Sequence, residues 1–134
     1  MDKLIIECVW YESKRDFNKF IRNLKSDNKV IIDYSLIKNK LLKADPYTEE
    51  PHDSIIGLNI IKMLKKCFNG KKEPDMIIYS LKNMSVDTIN NFKELLDSKA
   101  NKPYCFKLNI LNMDEVPTKQ ILNKFDYVKF IDND

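Results

Sequence analysis

Short apolar runs alternate along the chain with stretches in which apolar residues recur at helical spacing. The runs are rich in β-branched and aromatic residues and end in polar turns, which is typical of buried strands. They span Leu4–Trp10, Val30–Tyr34, Met76–Leu81, Pro103–Leu111 and Tyr127–Ile131. Strands that alternate with helices are characteristic of right-handed β-α-β units. The pattern predicts a three-layer α/β/α fold with a mainly parallel, five-stranded sheet.

Capping residues mark where several of the intervening helices begin. Ser13 is a suitable N-cap for the first helix, with Asp16 three residues on. Ser35 and Ser85 are expected to cap the second and fourth helices in the same way.

Two further helices are predicted from apolar spacing and from their ends. A long third helix starts at His52 or Asp53 and ends at Asn69-Gly70, where glycine suits the left-handed stop. It is apolar nearly all round in its first three turns, so we expect it to be well buried. A short fifth helix is predicted over Val116–Phe125.

Length and composition bound the class of protein. A chain of 134 residues with 43% hydrophobic and 32% charged residues is predicted to form one folded domain, residues 1–134. No apolar run reaches the roughly 18 residues of a membrane span, and no signal peptide opens the sequence. Cys8, Cys67 and Cys105 are odd in number and lie among apolar residues. We expect reduced thiols in a cytoplasmic protein.

The charge pattern argues against a dedicated nucleic-acid binder. The net charge is only +3, and Arg15 and Arg22 are the only arginines among the basic residues. An arginine-rich footprint is therefore missing. The frequent Lys, Asn and Ile are typical of AT-rich genomes, such as those of many phages and some low-GC bacteria.

Ligands of open parallel sheets bind beyond the carboxyl ends of the strands, so the residues there are the candidates for a site. Lys14 lies where a phosphate-binding lysine is expected, but no glycine accompanies it. Arg15 and Lys38 are further cations near strand ends. Trp10 and Tyr11 are candidates to stack on a base, although they also place bulk where a phosphate would lie.

Metal and hydrolase chemistry have little support. His52 is the single histidine, and no Cys/His cluster has the spacing of a zinc site. Glu49, Glu50 and Asp53 could hold a cation, but a solvated acidic loop is the simpler interpretation. We therefore expect no metal and no cofactor.

Three segments in the middle of the chain follow one another in a recognisable order: Tyr34-Ser-Leu-Ile-Lys38, the helix Ile55–Phe68, and Asp75-Met-Ile-Ile-Tyr-Ser80. They resemble the P-loop kinase family, most closely the 5′-kinase domain of phage polynucleotide kinases. The similarity runs from Leu4 to about Leu111. The resemblance implies a P-loop-kinase-like α/β fold.

The catalytic motifs of that family are largely replaced here. Its first loop would be rich in glycine and end in Lys-Ser/Thr, and of these residues only Lys14 matches. Arg15 stands where a hydroxyl residue would hold magnesium. The family's base, an Asp after the second strand, aligns near Ser35, and an Arg aligns near Lys38. The acidic residue that the family has after its third strand aligns near Ser80. The arginine-bearing lid that the family has between its fourth strand and the last helix is missing here.

Phosphoryl transfer depends on these electrostatic parts. We therefore predict a catalytically inactive, phage-encoded, P-loop-kinase-like protein in the host cytoplasm, which binds another protein as an inhibitor, adaptor or virion component. One alternative is a diverged polynucleotide or nucleotide kinase, or another phosphate-handling enzyme, that uses Lys14, Lys38 and either Asp33 or Asp114. Another is a nucleic-acid-binding module, which would use the residues Lys14, Arg15, Lys38, Trp10 and Tyr11.

Overall fold

A computed structural model describes residues 3–25, 28–44, 53–69, 74, 76–81, 86–100, 103–112 and 117–132. The elements, in chain order, are β1 (Leu4–Tyr11), α1 (Lys14–Asn23), β2 (Lys29–Asp33), α2 (Tyr34–Ala44), α3 (Asp53–Asn69), β3 (Met76–Leu81), α4 (Val86–Lys99), β4 (Tyr104–Leu111), α5 (Lys119–Leu122) and β5 (Tyr127–Ile131).

The five strands form one sheet in the order β2-β3-β1-β4-β5, and every pairing is parallel. β1 lies at the centre, where Glu7 is opposite Ile78 of β3 on one side and opposite Lys107 of β4 on the other. The predicted α/β/α fold is confirmed, and the pairings of these strands are parallel throughout.

Alternate residues of each strand point to opposite faces of the sheet. Four of the five described helices, α2 to α5, pack on the same face, which we call the covered face. On this covered face, Leu4, Ile6 and Cys8 of β1 lie in one buried cluster with side chains of α2, α3 and α4. Leu122 of α5 and Phe125, just after it, join the same cluster. This face holds the larger core.

The opposite face, called the α1 face below, has a smaller core. Val9 of β1, Ile78 of β3 and Leu111 of β4 pack there with Phe17 of α1. Among the described helices, α1 alone contributes to this cluster. The α1 face is therefore more thinly covered than its opposite.

The strand predictions agree with the structure, and β3 and β5 have the predicted bounds. Two helix starts differ. α2 begins at Tyr34, directly after β2, so Ser35 lies inside the helix and the predicted cap at Ser35 was wrong. α5 spans only Lys119–Leu122, with Thr118 at its N-cap position, so it starts later and ends earlier than predicted. Pro117, which has no backbone N–H to donate, directly precedes the cap.

The third helix begins at Asp53 as predicted, but it is not buried all round. Ile60, Leu64 and Phe68 face the core, whereas 58% of Leu58 is exposed. The predicted cap Ser85 lies outside the described residues.

The three cysteines are free thiols, with Cys8 buried and Cys67 and Cys105 half-buried. No helix in the described part of the chain combines the length and the apolar character that a membrane crossing needs.

Candidate functional site

Polar side chains from three neighbouring strands meet at the carboxyl edge of the sheet. Tyr11 ends β1, Asp33 ends β2 and Ser80 lies next to the end of β3. Lys14, the first residue of α1, reaches the same point. We call these four residues the carboxyl-edge cluster. It occupies the position where open parallel sheets bind their ligands.

Asp33 is the centre of the carboxyl-edge cluster. Its carboxylate accepts hydrogen bonds from the Lys14 ammonium, from the Ser80 hydroxyl at 3.2 Å and from the Tyr11 hydroxyl at 3.4 Å. It also accepts the backbone N–H of Leu36 at 3.4 Å, and so caps α2 in the place predicted for Ser35. One buried carboxylate thus joins β1, β2, β3 and α1 and starts α2.

The surroundings of Asp33 favour its ionised form. Burial raises the pKa of this carboxyl, but the hydrogen bond and charge of Lys14 act in the opposite direction, as do the Leu36 N–H and the Ser80 hydroxyl. Together these contacts hold the pKa of Asp33 below its usual value. Asp33 is therefore an anion that neutralises Lys14.

The side chain of Lys14 is held by more than this ion pair. Its Nζ lies 4.8 Å from the centroid of the Phe17 ring and 6.0 Å from that of Tyr11, and the two rings stack at 4.4 Å. Cation–π contacts at these distances are favourable. The ammonium group of Lys14 thus contacts side chains of this protein, the Asp33 carboxylate and the two aromatic rings.

The connection between β1 and α1 is too short for a phosphate loop. Only Glu12 and Ser13 separate the end of β1 from the start of α1. In the phosphate-binding pattern, a loop with glycines at both ends cradles the phosphates before the Lys. With that pattern aligned on Lys14, its first glycine falls on Cys8, a fully buried strand residue. Strand backbone therefore takes the place of the loop.

The other candidate residues are dispersed around this edge. Arg15 is exposed in the first turn of α1, while Lys38 is half-buried on α2, a helix of the covered face. Trp10 packs against the core of the covered face, whereas Tyr11 packs against that of the α1 face. The two rings therefore lie on opposite faces and do not form a shared stacking surface.

A second buried polar cluster lies in the middle of the α1 face. Asn109 of β4 donates from its amide nitrogen to the Glu7 carboxylate at 2.6 Å and to the carbonyl oxygen of Cys8 at 3.2 Å. The Lys107 ammonium lies 3.8 Å from Glu7. Sequence reasoning missed this cluster. Its signal was a polar residue inside each of two central apolar strands, on the same face once the register is known.

No group of three or more His, Cys, Asp or Glu side chains in the described ranges could hold a metal ion. The candidates His52, Glu49, Glu50 and Asp114 lie outside those ranges.

No protein-family model matches the chain, and neither does any curated protein. Among solved structures, the fold is similar to that of the tunicamycin resistance protein of Deinococcus radiodurans. The alignment covers 91% of this chain and 69% of that protein, with a TM-score of 0.54 and 10% sequence identity. Together with the parallel sheet, this likeness shows that the chain has a P-loop-kinase-like α/β fold.

Proposed function

We propose that this protein is a phage-encoded, cytoplasmic, P-loop-kinase-like domain that does not transfer phosphoryl groups and acts by binding another protein. The observation that carries the proposal is the ion pair of Lys14 with Asp33, beside a two-residue connection between β1 and α1. The expected roles are those of an inhibitor, an adaptor or a virion component.

Electrostatics at the carboxyl-edge cluster disfavour a bound nucleotide. A phosphate at Lys14 would compete with Asp33 for the positive charge of the lysine, and the Asp33 side chain is only 4% exposed. Weakening the ion pair of a buried carboxylate is costly. A phosphate would also meet the negative charge of Asp33 at close range. Since phosphoryl transfer depends on positioning and charge stabilisation, this arrangement supports the absence of the reaction.

Exposed apolar side chains support a binding role. Five large ones are exposed on the described surface: Ile31, Leu36, Leu58, Tyr127 and Phe130. Aromatic residues such as the last two are enriched where proteins bind one another.

The direct test is titration calorimetry with ATP and Mg²⁺ on three proteins: the wild type, Lys14→Ala and Asp33→Asn. Asparagine also caps helices well, so Asp33→Asn keeps that contact while it releases Lys14 from its ion pair. We expect no saturable binding by any of the three, because the short connection offers no cradle. Micromolar affinity of the wild type that is lost in Lys14→Ala would overturn the proposal.

The contact between Lys14 and Asp33 also favours a second candidate, a diverged phosphate-handling enzyme in which both residues act together. This candidate predicts transfer of labelled phosphate from ATP to an oligonucleotide with a 5′-hydroxyl. Lys14→Ala and Asp33→Asn should each abolish that transfer. Transfer that is equal in all three proteins would indicate a contaminating kinase, and its absence from the wild type would exclude this substrate.

A further inference from the structure

The two faces of the sheet differ in how much helix covers them, and this difference leaves a trough beside α1. Neighbouring strands lie about 4.8 Å apart and a helix is about 10 Å wide, so a face of five strands has room for two helices. α1 packs over β1, β3 and the end of β4 through Val9, Ile78 and Leu111. Over β4 and β5, two adjoining hollows of about 560 and 420 Å³ lie next to α1. We call them the α1–β5 trough.

The walls of the α1–β5 trough are apolar. Phe20 of α1 and Leu24, just after α1, line both hollows, and Tyr127 of β5, which is 63% exposed, lines the larger one. The buried Glu7–Asn109 pair lies at its floor with its hydrogen bonds made. The floor thus needs no further polar partner, while the walls offer apolar surface to a ligand.

The rim of the α1–β5 trough is basic. Lys3, Lys107 and Lys129 line the larger hollow, against Glu7 as its one acidic side chain. Lys107 and Asn109 already hold Glu7. Lys3 and Lys129 are exposed and make no ion pair within the described residues. Asp132 is the acidic side chain of the smaller hollow. The rim therefore complements an acidic ligand.

We infer that the α1–β5 trough is the docking surface for an acidic amphipathic helix of a partner protein. The trough follows β5, whose five residues all line it and span about 16 Å, which corresponds to about 11 residues of helix. Its apolar stripe would cover Phe20, Leu24 and Tyr127, and its carboxylates would face Lys3 and Lys129. A second copy of this chain is disfavoured as the occupant, because it would bring two basic rims together. The inference deepens the proposed protein-binding role and rests on it.

The test uses two labelled 18-residue model helices that share a leucine stripe and differ in the polar face, which is glutamate in one and lysine in the other. Fluorescence anisotropy should show saturable binding of the glutamate helix that weakens as salt is added, and no binding of the lysine helix. Absence of binding by the glutamate helix would overturn the inference, as would equal binding of both helices.

Two pairs of matched variants test whether binding occurs in the trough. Lys3→Glu/Lys129→Glu should weaken binding by about tenfold or more, whereas Lys65→Glu/Lys66→Glu on α3 makes the same change in net charge and should have little effect. Tyr127→Ser should weaken binding, and Leu58→Ser, which removes a similarly exposed apolar side chain from α3, should not. Equal losses in a variant and its control would mean that the helix binds elsewhere.

Cysteine protection provides an independent measure of the position. Cys105 lines the α1–β5 trough, whereas Cys67 lies on α3 against the covered face, and both are half-buried. The bound glutamate helix should slow alkylation of Cys105, read by mass spectrometry, and leave Cys67 unchanged. Protection of Cys67 alone would overturn the inference. A concentration-dependent dimer in sedimentation, with Cys105 protected without peptide, would instead identify a second copy as the occupant.

The outcomes separate this inference from the proposed function. Absence of peptide binding, together with absence of ATP binding, overturns the docking surface and leaves an inactive domain that binds its partner elsewhere. Micromolar ATP binding that depends on Lys14 overturns the proposed function, whatever the peptide does.

Discussion

The two faces of the sheet are built from the same five strands but bury different kinds of side chain. On the covered face, the buried strand residues are apolar, as Ile6, Ile77 and Leu108 illustrate. The α1 face carries every buried polar or charged side chain found in the described residues: Glu7, Asp33, Ser80 and Asn109. The covered face therefore contains most of the buried apolar side chains. The α1 face contains the polar contacts that join the ends of β1, β2 and β3 and link β1 to β4.

This difference between the two faces indicates where substitutions can be made without unfolding the protein. Apolar packing on the covered face tolerates volume changes poorly, because close-packed interiors leave few voids. The α1 face instead has a trough and two polar clusters, whose members can be exchanged for other hydrogen-bonding groups. We expect large effects on stability from the covered face and changes in specificity from the α1 face.

The largest expected effect comes from Phe106→Ala on the covered face. Phe106 is buried, and its ring stacks on Phe125 at 4.7 Å and lies 6.0 Å from Phe92. Removing it should lower the free energy of unfolding by about 3–5 kcal/mol, measured by urea denaturation. Phe20→Ala on the α1 face is the control, with an expected loss of about 1 kcal/mol because Phe20 is half-buried. Equal losses would mean that the two faces contribute alike.

A smaller effect is expected from Asn109→Ala in the middle of the α1 face. This change removes the 2.6 Å hydrogen bond to the buried Glu7 carboxylate and leaves only the Lys107 contact at 3.8 Å. An unsatisfied buried acceptor costs about 1–3 kcal/mol. Lys107→Ala is the control, expected to cost less than about 1 kcal/mol since the lysine is partly exposed. A negligible effect of Asn109→Ala in the same denaturation assay would show that water replaces its amide.

Asp33 gives the α1 face an acid-sensitive contact. Its pKa is lowered in the folded protein, so its contribution to stability is present above the unfolded value of about 4 and is lost as the pH falls through the folded value. The wild type should therefore lose more free energy of unfolding between about pH 5 and 3 than Asp33→Asn, which has no carboxylate to protonate. Parallel pH curves would contradict this prediction.

The smallest effect is expected at the rim of the covered face, where the Tyr104 hydroxyl donates to Asp97. Burial raises the pKa of this phenol, and so do the hydrogen bond to Asp97 and the charges of Asp97 and Asp126. Because the folded pKa is raised, the contribution of Tyr104 to stability is present below its unfolded value of about 10 and is lost as the pH rises through the folded value. Absorbance titration of the wild type against Tyr104→Phe should therefore show that the phenol lost in the variant ionises above the usual tyrosine value of about 10.

The sequence was sufficient to predict the fold because its apolar periodicity reflects burial directly. β3 and β5 have the predicted bounds since each is rich in apolar and aromatic residues and lies between polar ones. The cap of α2 could not be predicted. Ser35 and Asp33 are both good caps, and only the turn directly after β2 decides between them.

The candidate site was predicted in part. Lys14 was singled out by its place after the first strand, and Asp33 only as one of two alternative carboxylates. Their contact depends on the order of the strands, which places the ends of β1 and β2 on either side of β3. The Glu7–Asn109 contact likewise depends on the register of β1 against β4, two strands that lie far apart in the sequence. Periodicity carries no information about either.

The central position of β1 has a consequence for the order of events during synthesis. Of the five strands, β1 is synthesised first, yet Leu4 pairs with Tyr104, a hundred residues later, and Ile5 pairs with Met76. Until β3 and β4 have been made, this central strand has no partner for its backbone. Such non-local pairing slows folding and leaves strand edges exposed to other chains. We therefore expect the nascent chain to need chaperones until β4 has been made and can pair with β1.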